Sequence, residues 1–337
     1  MAVGSTAVFQ GGVESRHDGR PGAMPVARKA CRAVIGLVIG LMVAMGGGLA
    51  AGALPLGAQS NTTNPFTDSL LVTVRALAHA VPGPLPTAVG YLSVADDSTP
   101  LSDAVTDAPK TRIFQVTPVF QLRYHMGWIM VDAGLSHETN GPSGTYHQDR
   151  YDRIQTALRR ARLIVITHEH SDHIEGVMRS PYLSDIAPRT MLTEAQVHTL
   201  LSKPTSDRER IDSAQARRYI VMDYERVLPI APGVVLIRTP GHTPGSQVVY
   251  VTLASGKELI LVGDVAWHQA GIDMQRQKPD TVSRAMGEDR VAIGQELAWL
   301  KSAAATGIAL AVSHDGSALQ ALARRGILIE GLDLSAP

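Results

Sequence analysis

An α/β fold is predicted for this 337-residue chain by three observations. Short apolar runs of strand length recur, such as Leu163-Ile164-Val165-Ile166 and Val248-Val249-Tyr250-Val251. Segments with apolar residues at helical spacing alternate with them, as at Ile154, Ala157, Leu158 and Ala161. Four of the strands end on a residue that binds metals well: His168 and its neighbours, His242, Asp264 and His314. Residues that converge on one site are expected on loops leaving one edge of a sheet.

Residues 1–58 stand apart from this body. Arg28, Lys29 and Arg32 precede an apolar run from Ala33 to Met45, then Gly46-Gly47-Gly48 and small residues up to Ala58. A basic region, a short apolar core and a small-residue exit make a secretory signal peptide, cut after Leu56-Gly57-Ala58. The alternative is an uncleaved anchor, although glycines interrupt the core and a span needs about 20 apolar residues. The residues before Met24 are polar and glycine-rich, so Met24 is an alternative start. A periplasmic or secreted protein is expected, or a membrane-anchored one if the segment is retained. Cys31, the single cysteine, lies within it. The mature chain therefore has no disulfide framework and no thiolate to offer a metal. The formal net charge is zero, and no basic run interleaved with aromatics appears. Nucleic acid is not an expected partner.

The remaining elements follow in order. Residues 59–111 form a lead-in and first strand. Within them a helix is expected over 67–80, capped by Asn64 or Thr67 and stopped by Pro82-Gly83-Pro84. Residues 88–95 make a strand, and the Asp-, Ser-, Thr- and Pro-rich 96–110 a loop. Residues 112–124 and 128–131 are strands joined by a tight turn at His125-Met126-Gly127. An exposed polar loop, 136–148, leads to a helix over 151–161 and the strand 163–166. A helix opens at His173 and ends near Ser180-Pro181. A strand over 190–192 and a Thr193-capped helix over 194–201 follow. Residues 206–217 are charged and read as a surface helix, with a strand at 219–222. Strands are expected at 234–239, 247–252 and 258–262, the last two a hairpin across Ser255-Gly256. A long loop (266–287), a helix (289–304), a strand (308–312), a helix (317–325) and a strand (327–329) complete the chain.

The chemistry concentrates in Thr167-His168-Glu169-His170-Ser171-Asp172-His173. Imidazole and carboxylate are natural ligands for zinc and similar divalent metals. On a turn leaving a strand, His168 and His170 point to one side and Asp172 and His173 to the other. The stretch thus supplies half of each of two adjacent metal sites. His242 sits in Pro240-Gly241-His242-Thr243-Pro244-Gly245, where prolines and glycines hold a tight turn. Two divalent ions close together lower the pKa of a shared water and leave hydroxide available near neutral pH.

In combination these segments resemble the metallo-β-lactamase fold hydrolases over residues 112–330. The pattern is H-x-H-x-D-H, a histidine in Gly-His-Thr-Pro-Gly, then Gly-Asp, then a late histidine. Asp132-Ala133-Gly134 resembles the family's early Asp-x-Gly. The resemblance implies a four-layer αβ/βα sandwich of two mixed β-sheets with outer helices. It implies one metal on His168, His170 and His242, and a second on Asp172, His173 and His314. Asp264 bridges the two, and Asp172 also orients the attacking hydroxide. The metals are expected to be zinc, with iron or manganese as alternatives, and the partner is a small-molecule substrate.

The resemblance also narrows the reaction. No cysteine is left for the second metal site that one group of β-lactamases builds with one, and the bridging Asp264 resembles lactonases and glyoxalase II. Hydrolysis of an ester, lactone or thioester is expected. The alternatives are a phosphodiesterase or β-lactamase on the same metals, or an iron-binding redox module, for which Glu169 within the first motif is the only signal. Where lactonases of the family often carry a tyrosine reaching the substrate carbonyl, this chain has Trp267. Its indole donates one hydrogen bond and is no acid. His268 is the other substrate-binding candidate. Residues 136–148 and 266–287 are the loops expected to select substrate. The second carries Arg276 and Lys278 and reads either as a lid or as a solvated insertion. His17, His79, His125 and His198 are given no catalytic role.

Overall fold

The structure is a computed structural model that describes residues 64–141 and 144–335. The proposed signal segment lies outside the described residues. Among the described residues, no helix is long and apolar enough to cross a membrane. The elements run in this order. Helix α1 (Asp68–Leu77), strand β1 (Ala88–Pro100), the single turn α2 (Leu101–Ala104), β2 (Arg112–Arg123) and β3 (Trp128–Val131) lead in. Then come β4 (Thr145–Tyr146), α3 (Gln148–Arg160), β5 (Leu163–Val165), α4 (Ser171–Met178), α5 (Leu183–Ile186), β6 (Thr190–Thr193) and α6 (Glu194–Ser202). They are followed by α7 (Ser213–Ala216), β7 (Ile220–Met222), β8 (Val227–Ala231), β9 (Val234–Arg238), β10 (Gln247–Thr252) and β11 (Glu258–Leu261). Helices α8 (Gln269–Met274), α9 (Asp280–Met286) and α10 (Arg290–Ala305), strand β12 (Ala309–Ala311), α11 (Gly316–Arg324) and β13 (Ile329–Glu330) close the chain.

Two mixed sheets result. An eight-stranded sheet has the order β13-β1-β2-β3-β5-β6-β7, with β4 paired to β1. A five-stranded sheet has the order β12-β11-β10-β9-β8. Their inner faces meet in one apolar layer, where Phe120, Val131 and Val165 join Leu236, Val249 and Leu261. The outer face of the larger sheet packs on α3 through Ile154 and Leu158 and on α4 through Ile174. The outer face of the smaller sheet packs on α1 and α10 through Val74, Leu297 and Leu300. This is the four-layer sandwich expected.

Strand direction explains why the metal-type residues meet. β3, β5, β6 and β7 are mutually parallel, so their C-terminal ends share one edge. β9 and β11 each run antiparallel to β10, and β12 runs parallel to β11. Leu261 is in register with Ala311, so Asp264 and His314, each three residues further on, emerge side by side. The edges of the two sheets are tied together there. Gln247 donates its backbone N–H to the Thr167 carbonyl (2.9 Å) and its side-chain amide to that of Ile166 (2.7 Å).

Four expectations need correction. The polar 96–110 is not a loop throughout: β1 continues to Pro100, after a bulge between Ser93 and Asp96, because β2 pairs with it as far as Pro100↔Arg112. This outer arm of the hairpin is solvated, so its composition reads as a loop. The charged 206–217 is not one helix. Ser206 with Glu209, and Asp212 with Gln215, each form a capping box, and the second cap restarts the chain. The loop 136–148 docks on β1, where Asp96 pairs with Thr145 and Ala95 with Tyr146. The region 266–287 folds into α8 and α9. Besides β4 within the loop 136–148, a further strand not expected, β8, forms although it holds Pro229. It lies at the sheet edge, where a missing N–H is tolerated.

Helix α4, which carries the second half of the metal motif, rides directly on the backbone after β3. Gly176 N–H donates to the Gly134 carbonyl (2.9 Å) and Ala133 N–H to the His173 carbonyl (2.8 Å). A Cβ on Gly176 would lie 2.0 Å from the Ala133 carbonyl oxygen, a backbone atom that cannot yield. In an open helix, Gly→Ala gains about 1 kcal/mol. Here Gly176→Ala should instead cost about 2 kcal/mol or more through overpacking. An unchanged urea-unfolding midpoint would refute this close approach.

Candidate metal centre

The first motif turns straight out of β5 into α4. His170 is the N-cap residue of α4, and Asp172 and His173 lie in its first turn. His242, Asp264 and His314 come from the turns after β9, β11 and β12. Three overlapping groups of ligand atoms form, each with its atoms within 4.8 Å of one another: His168, His170 and His242; His168, His173 and Asp264; Asp172, His173 and His314. All seven expected ligands are brought together. Asp264 stands between the two triads. Its Oδ1 lies 3.2 Å from His173 Nε2 and 3.1 Å from His314 Nε2. Its Oδ2 lies 3.6 Å from His242 Nε2 and 3.8 Å from His168 Nε2, and also 3.2 Å from His314 Nε2.

The outer nitrogens of three of the histidines are held by other groups. His173 Nδ1 faces Asp132 Oδ2 at 2.8 Å, His242 Nδ1 faces Glu288 Oε1 at 2.7 Å, and His314 Nδ1 faces the Val116 carbonyl at 2.8 Å. An acceptor at Nδ1 keeps the proton there and leaves Nε2 as the ligand atom. Asp132 also accepts from the Thr167 N–H (2.7 Å) and hydroxyl (2.9 Å), which fixes the start of the motif. Its backbone lies in the left-handed region (φ 62), an uncommon conformation for a residue with a side chain.

Burial sets the charges. It pulls His168 well below the ordinary histidine value, with His173 adding to the effect. It pulls His242 down to about 4, with Lys278 adding to the effect. Burial also opposes ionisation of Asp264, but His314, His173 and His168 outweigh it and hold the carboxyl well below its usual range. Asp172 is lowered in the same way, by His173 and His314 against burial. Burial lowers His173, but Asp172, Asp264 and Asp132 reverse the effect and raise it. The cluster thus concentrates carboxylate charge among crowded imidazoles, and His168 and His173 ring centres are 4.0 Å apart. His168 Nε2, His173 Nε2 and Asp264 Oδ1 are buried without a hydrogen-bond partner. Unpartnered buried polar atoms are costly. These three face one another, and a nitrogen and oxygen donor set of this kind fits divalent metal ions.

The two substrate-binding candidates behave differently. Trp267 lines the cavity beside the cluster, but its indole N–H donates to Asp264 Oδ2 at 2.7 Å. His268 is not in the cavity, a correction to its expected role. It is the N-cap of α8, accepting from the Ala270 N–H at 3.1 Å, and its Nε2 lies 3.2 Å from Asp315 Oδ2. The chain turns into α8 at that point, and the cap draws the ring away. Glu169 also leaves the ligand cluster: its carboxylate accepts from the hydroxyls of Thr243 (2.8 Å) and Thr199 (2.9 Å). A cavity of about 1020 Å³ opens over His170, Asp172, Asp264 and His314. Its walls include Asn140 and Gly141, Lys203 to Thr205 after α6, and Arg284 to Gly287 at the end of α9.

In the sequence Glu288 and Glu296 carry no mark as parts of this site, and Lys278 stands only in a loop expected to border the substrate. No local pattern marks them, since each acts through a contact distant in sequence. Asp132 carried a signal, its Asp-Ala-Gly motif, but no partner.

The model of the metallo-beta-lactamase superfamily matches residues 116–329. No curated protein sequence gives a significant match. Among solved structures, the chain is similar to a quorum-quenching N-acyl homoserine lactone lactonase, with 16% identity and a TM-score of 0.56 over 69% of this chain and 94% of that one. It is equally similar to a mutant of B. thuringiensis AiiA with N-decanoyl-L-homoserine bound at the active site, with 16% identity and a TM-score of 0.56 over 70% of this chain and 96% of that one. A probable metal-dependent hydrolase from Staphylococcus aureus matches with 13% identity and a TM-score of 0.53 over 69% and 91%. At these identities the likeness is one of fold.

Glu296 on α10 supports the His242 turn by accepting from the Gly241 N–H at 3.0 Å, while its Oε2 is buried without a partner. Burial, the largest cause, raises its carboxyl to about 7. A raised acid pKa means the unfolded chain ionises first. Stability from the neutral form is therefore full below about pH 4.5 and is lost as pH rises to about 7. Glu296→Gln keeps the acceptor and removes the titration. Its stability relative to wild type should increase by about 3 kcal/mol between pH 4.5 and 8. A pH-independent difference in urea midpoints would refute the assignment.

Proposed function

The chain belongs to the metallo-beta-lactamase superfamily, and on that premise we propose that it is a dinuclear metal-dependent hydrolase of an ester, lactone or thioester. The observation that carries the reading is Asp264, a buried carboxylate between the two triads, with Oδ1 toward His173, Oδ2 toward His168 and His242, and both oxygens near His314. A carboxylate so placed would be available to an ion on either side. Likeness in fold to lactonases supports the same substrate class.

His168, His170 and His242 would hold one ion, and Asp172, His173 and His314 the other, with Asp264 shared. Zinc suits this nitrogen and oxygen set, with iron or manganese as alternatives. Such a pair supplies an activated water at neutral pH and polarises a carbonyl. The protein's own residues supply the rest. Asp172 is the ligand carboxylate open to the cavity, its side chain 32% exposed against 4% for Asp264. It is therefore placed to accept a hydrogen bond from the attacking water and orient it. The indole N–H of Trp267 is engaged by Asp264, so the ring acts as a wall and not as a donor to the substrate carbonyl.

The competing readings are weaker. A redox iron centre that used Glu169 as ligand would need that side chain in the cluster, and it bonds Thr199 and Thr243 instead. Phosphodiester or β-lactam cleavage on the same metals is separated by assay. A panel of lactones, thioesters, phosphodiesters and a chromogenic β-lactam should show turnover on the first two classes. Iron with oxidase activity and no hydrolysis would sink the proposal.

Asp264→Ala should lose at least one of two metal equivalents and most hydrolysis, while His125→Ala, away from the cluster, keeps both. Full metal content in Asp264→Ala would refute the bridging role. We further propose export, with cleavage after Ala58. N-terminal sequencing of the periplasmic or secreted protein should begin near Gln59, and a full-length membrane-bound product would favour the anchor.

A further inference from the structure

Lys278 was expected to sit on a lid or a solvated insertion, yet it is 2% exposed. The fold brings it inward in a defined way. Helix α8 stops at Gln275, which takes a left-handed conformation (φ 55). The chain then doubles back, with Arg276 N–H donating to the Gly271 carbonyl at 2.9 Å. Arg290 Nη1 donates to the Lys278 carbonyl at 3.2 Å and holds the segment before α9 begins.

The ammonium has three partners, and all of them belong to or touch the metal cluster. Nζ donates to the Asp264 carbonyl at 2.7 Å. It donates to Glu288 Oε1 at 2.7 Å, the same oxygen that faces His242 Nδ1 at 2.7 Å. It also lies over the Trp267 ring, 5.1 Å from the centroid, and that indole donates to Asp264 Oδ2. Ser283 Oγ donates to the second oxygen of Glu288 at 2.7 Å, which leaves the carboxylate little freedom to turn.

A buried ion pair is a poor device for stability alone, since apolar residues of similar size often do as well or better. Here the pair joins two ligands that come from different strands, His242 after β9 and Asp264 after β11. The geometry points to Lys278 as a positioning residue: with Glu288 and Trp267 it forms a buried strut that fixes the His242 tautomer and the orientation of Asp264, and so sets the affinity of the His168, His170 and His242 metal site. The strut acts on one site more than the other. Glu288 backs His242 directly, and Oδ2, the oxygen that Trp267 engages, lies toward His242 and His168 as well as toward His314, whereas His173 faces Oδ1. Among the described residues Lys278 and Glu288 make no such contact with Asp172, His173 or His314; of these three, His314 meets the strut through the edge of the Trp267 ring, 6.1 Å between centroids.

This inference rests on the reading that the cluster holds two metal ions, and it is tested without substrate. Zinc-loaded wild type, Glu288→Gln, Lys278→Met and the double variant K278M/E288Q are dialysed against a graded series of a zinc chelator. Zinc retained per chain is counted, and thermal unfolding of the metal-stripped proteins is followed by circular dichroism. The double variant removes both charges, so no buried ion is left unpaired. We expect its metal-free unfolding to stay close to that of wild type. One of its two ions should leave at a chelator concentration at least about 10-fold lower, the scale of effect that groups backing metal ligands exert. Glu288→Gln should fall between them. Retention of both ions at the wild-type chelator concentration by the double variant, or by Glu288→Gln should the double variant not fold, would overturn the inference and leave the two-metal reading intact. A wild-type chain that retains fewer than two ions would overturn both.

Discussion

A carboxylate buried among imidazoles is the interaction on which the rest of this structure depends. Asp264 is taken out of water and surrounded by His168, His173, His242 and His314. In a low-dielectric interior, such a group is tolerable only where cations or strong donors meet it. The fold answers with direction rather than with covalent links. Parallel strands bring their C-terminal ends to one edge, the two sheets face each other there, and four separate turns deliver ligands to one point. The apolar layers on either side hold these edges in place but contribute no chemistry.

A second ring of polar groups makes the point rigid. Asp132, Glu288 and the Val116 carbonyl each hold the outer nitrogen of one histidine. Glu169 and Glu296 hold the His242 turn at two points, through Thr243 and Gly241. Each of these acceptors is buried and hydrogen-bonded, so the ligands are organised before anything binds. That is the condition for a site whose geometry, rather than its flexibility, selects the reaction.

Much of the fold was legible because its signals are local. The strand Gln247–Thr252 carries the apolar run Val248-Val249-Tyr250-Val251, and the helix after Thr193 is announced by that capping residue, whose capping box Gln196 completes. The expectations that failed did so where a distant partner overrides local composition. The outer half of β1 is polar and becomes a strand because β2 pairs with it. β8 holds a proline and forms because it lies at an edge. The charged stretch 206–217 broke into two turns, as its two capping boxes explain in retrospect.

The candidate site divides along the same line. The sequence by itself singled out five ligand candidates, because His-x-His-x-Asp-His and the Gly-His-Thr-Pro-Gly turn place donor atoms at short range on stiff backbone, and the resemblance to the family pattern added Asp264 and His314. Tertiary structure alone decided what backs them. It turned His268 and Glu169 away from the ligand cluster, set the Trp267 indole on Asp264, and drew Lys278 out of an apparent surface insertion. Glu288 stands 46 residues from His242, and no spacing rule links them. A hydrogen bond is specified by where two atoms lie in space. When the chain between them is long, only the packing of the sheets and of helices α8 to α10 fixes that position.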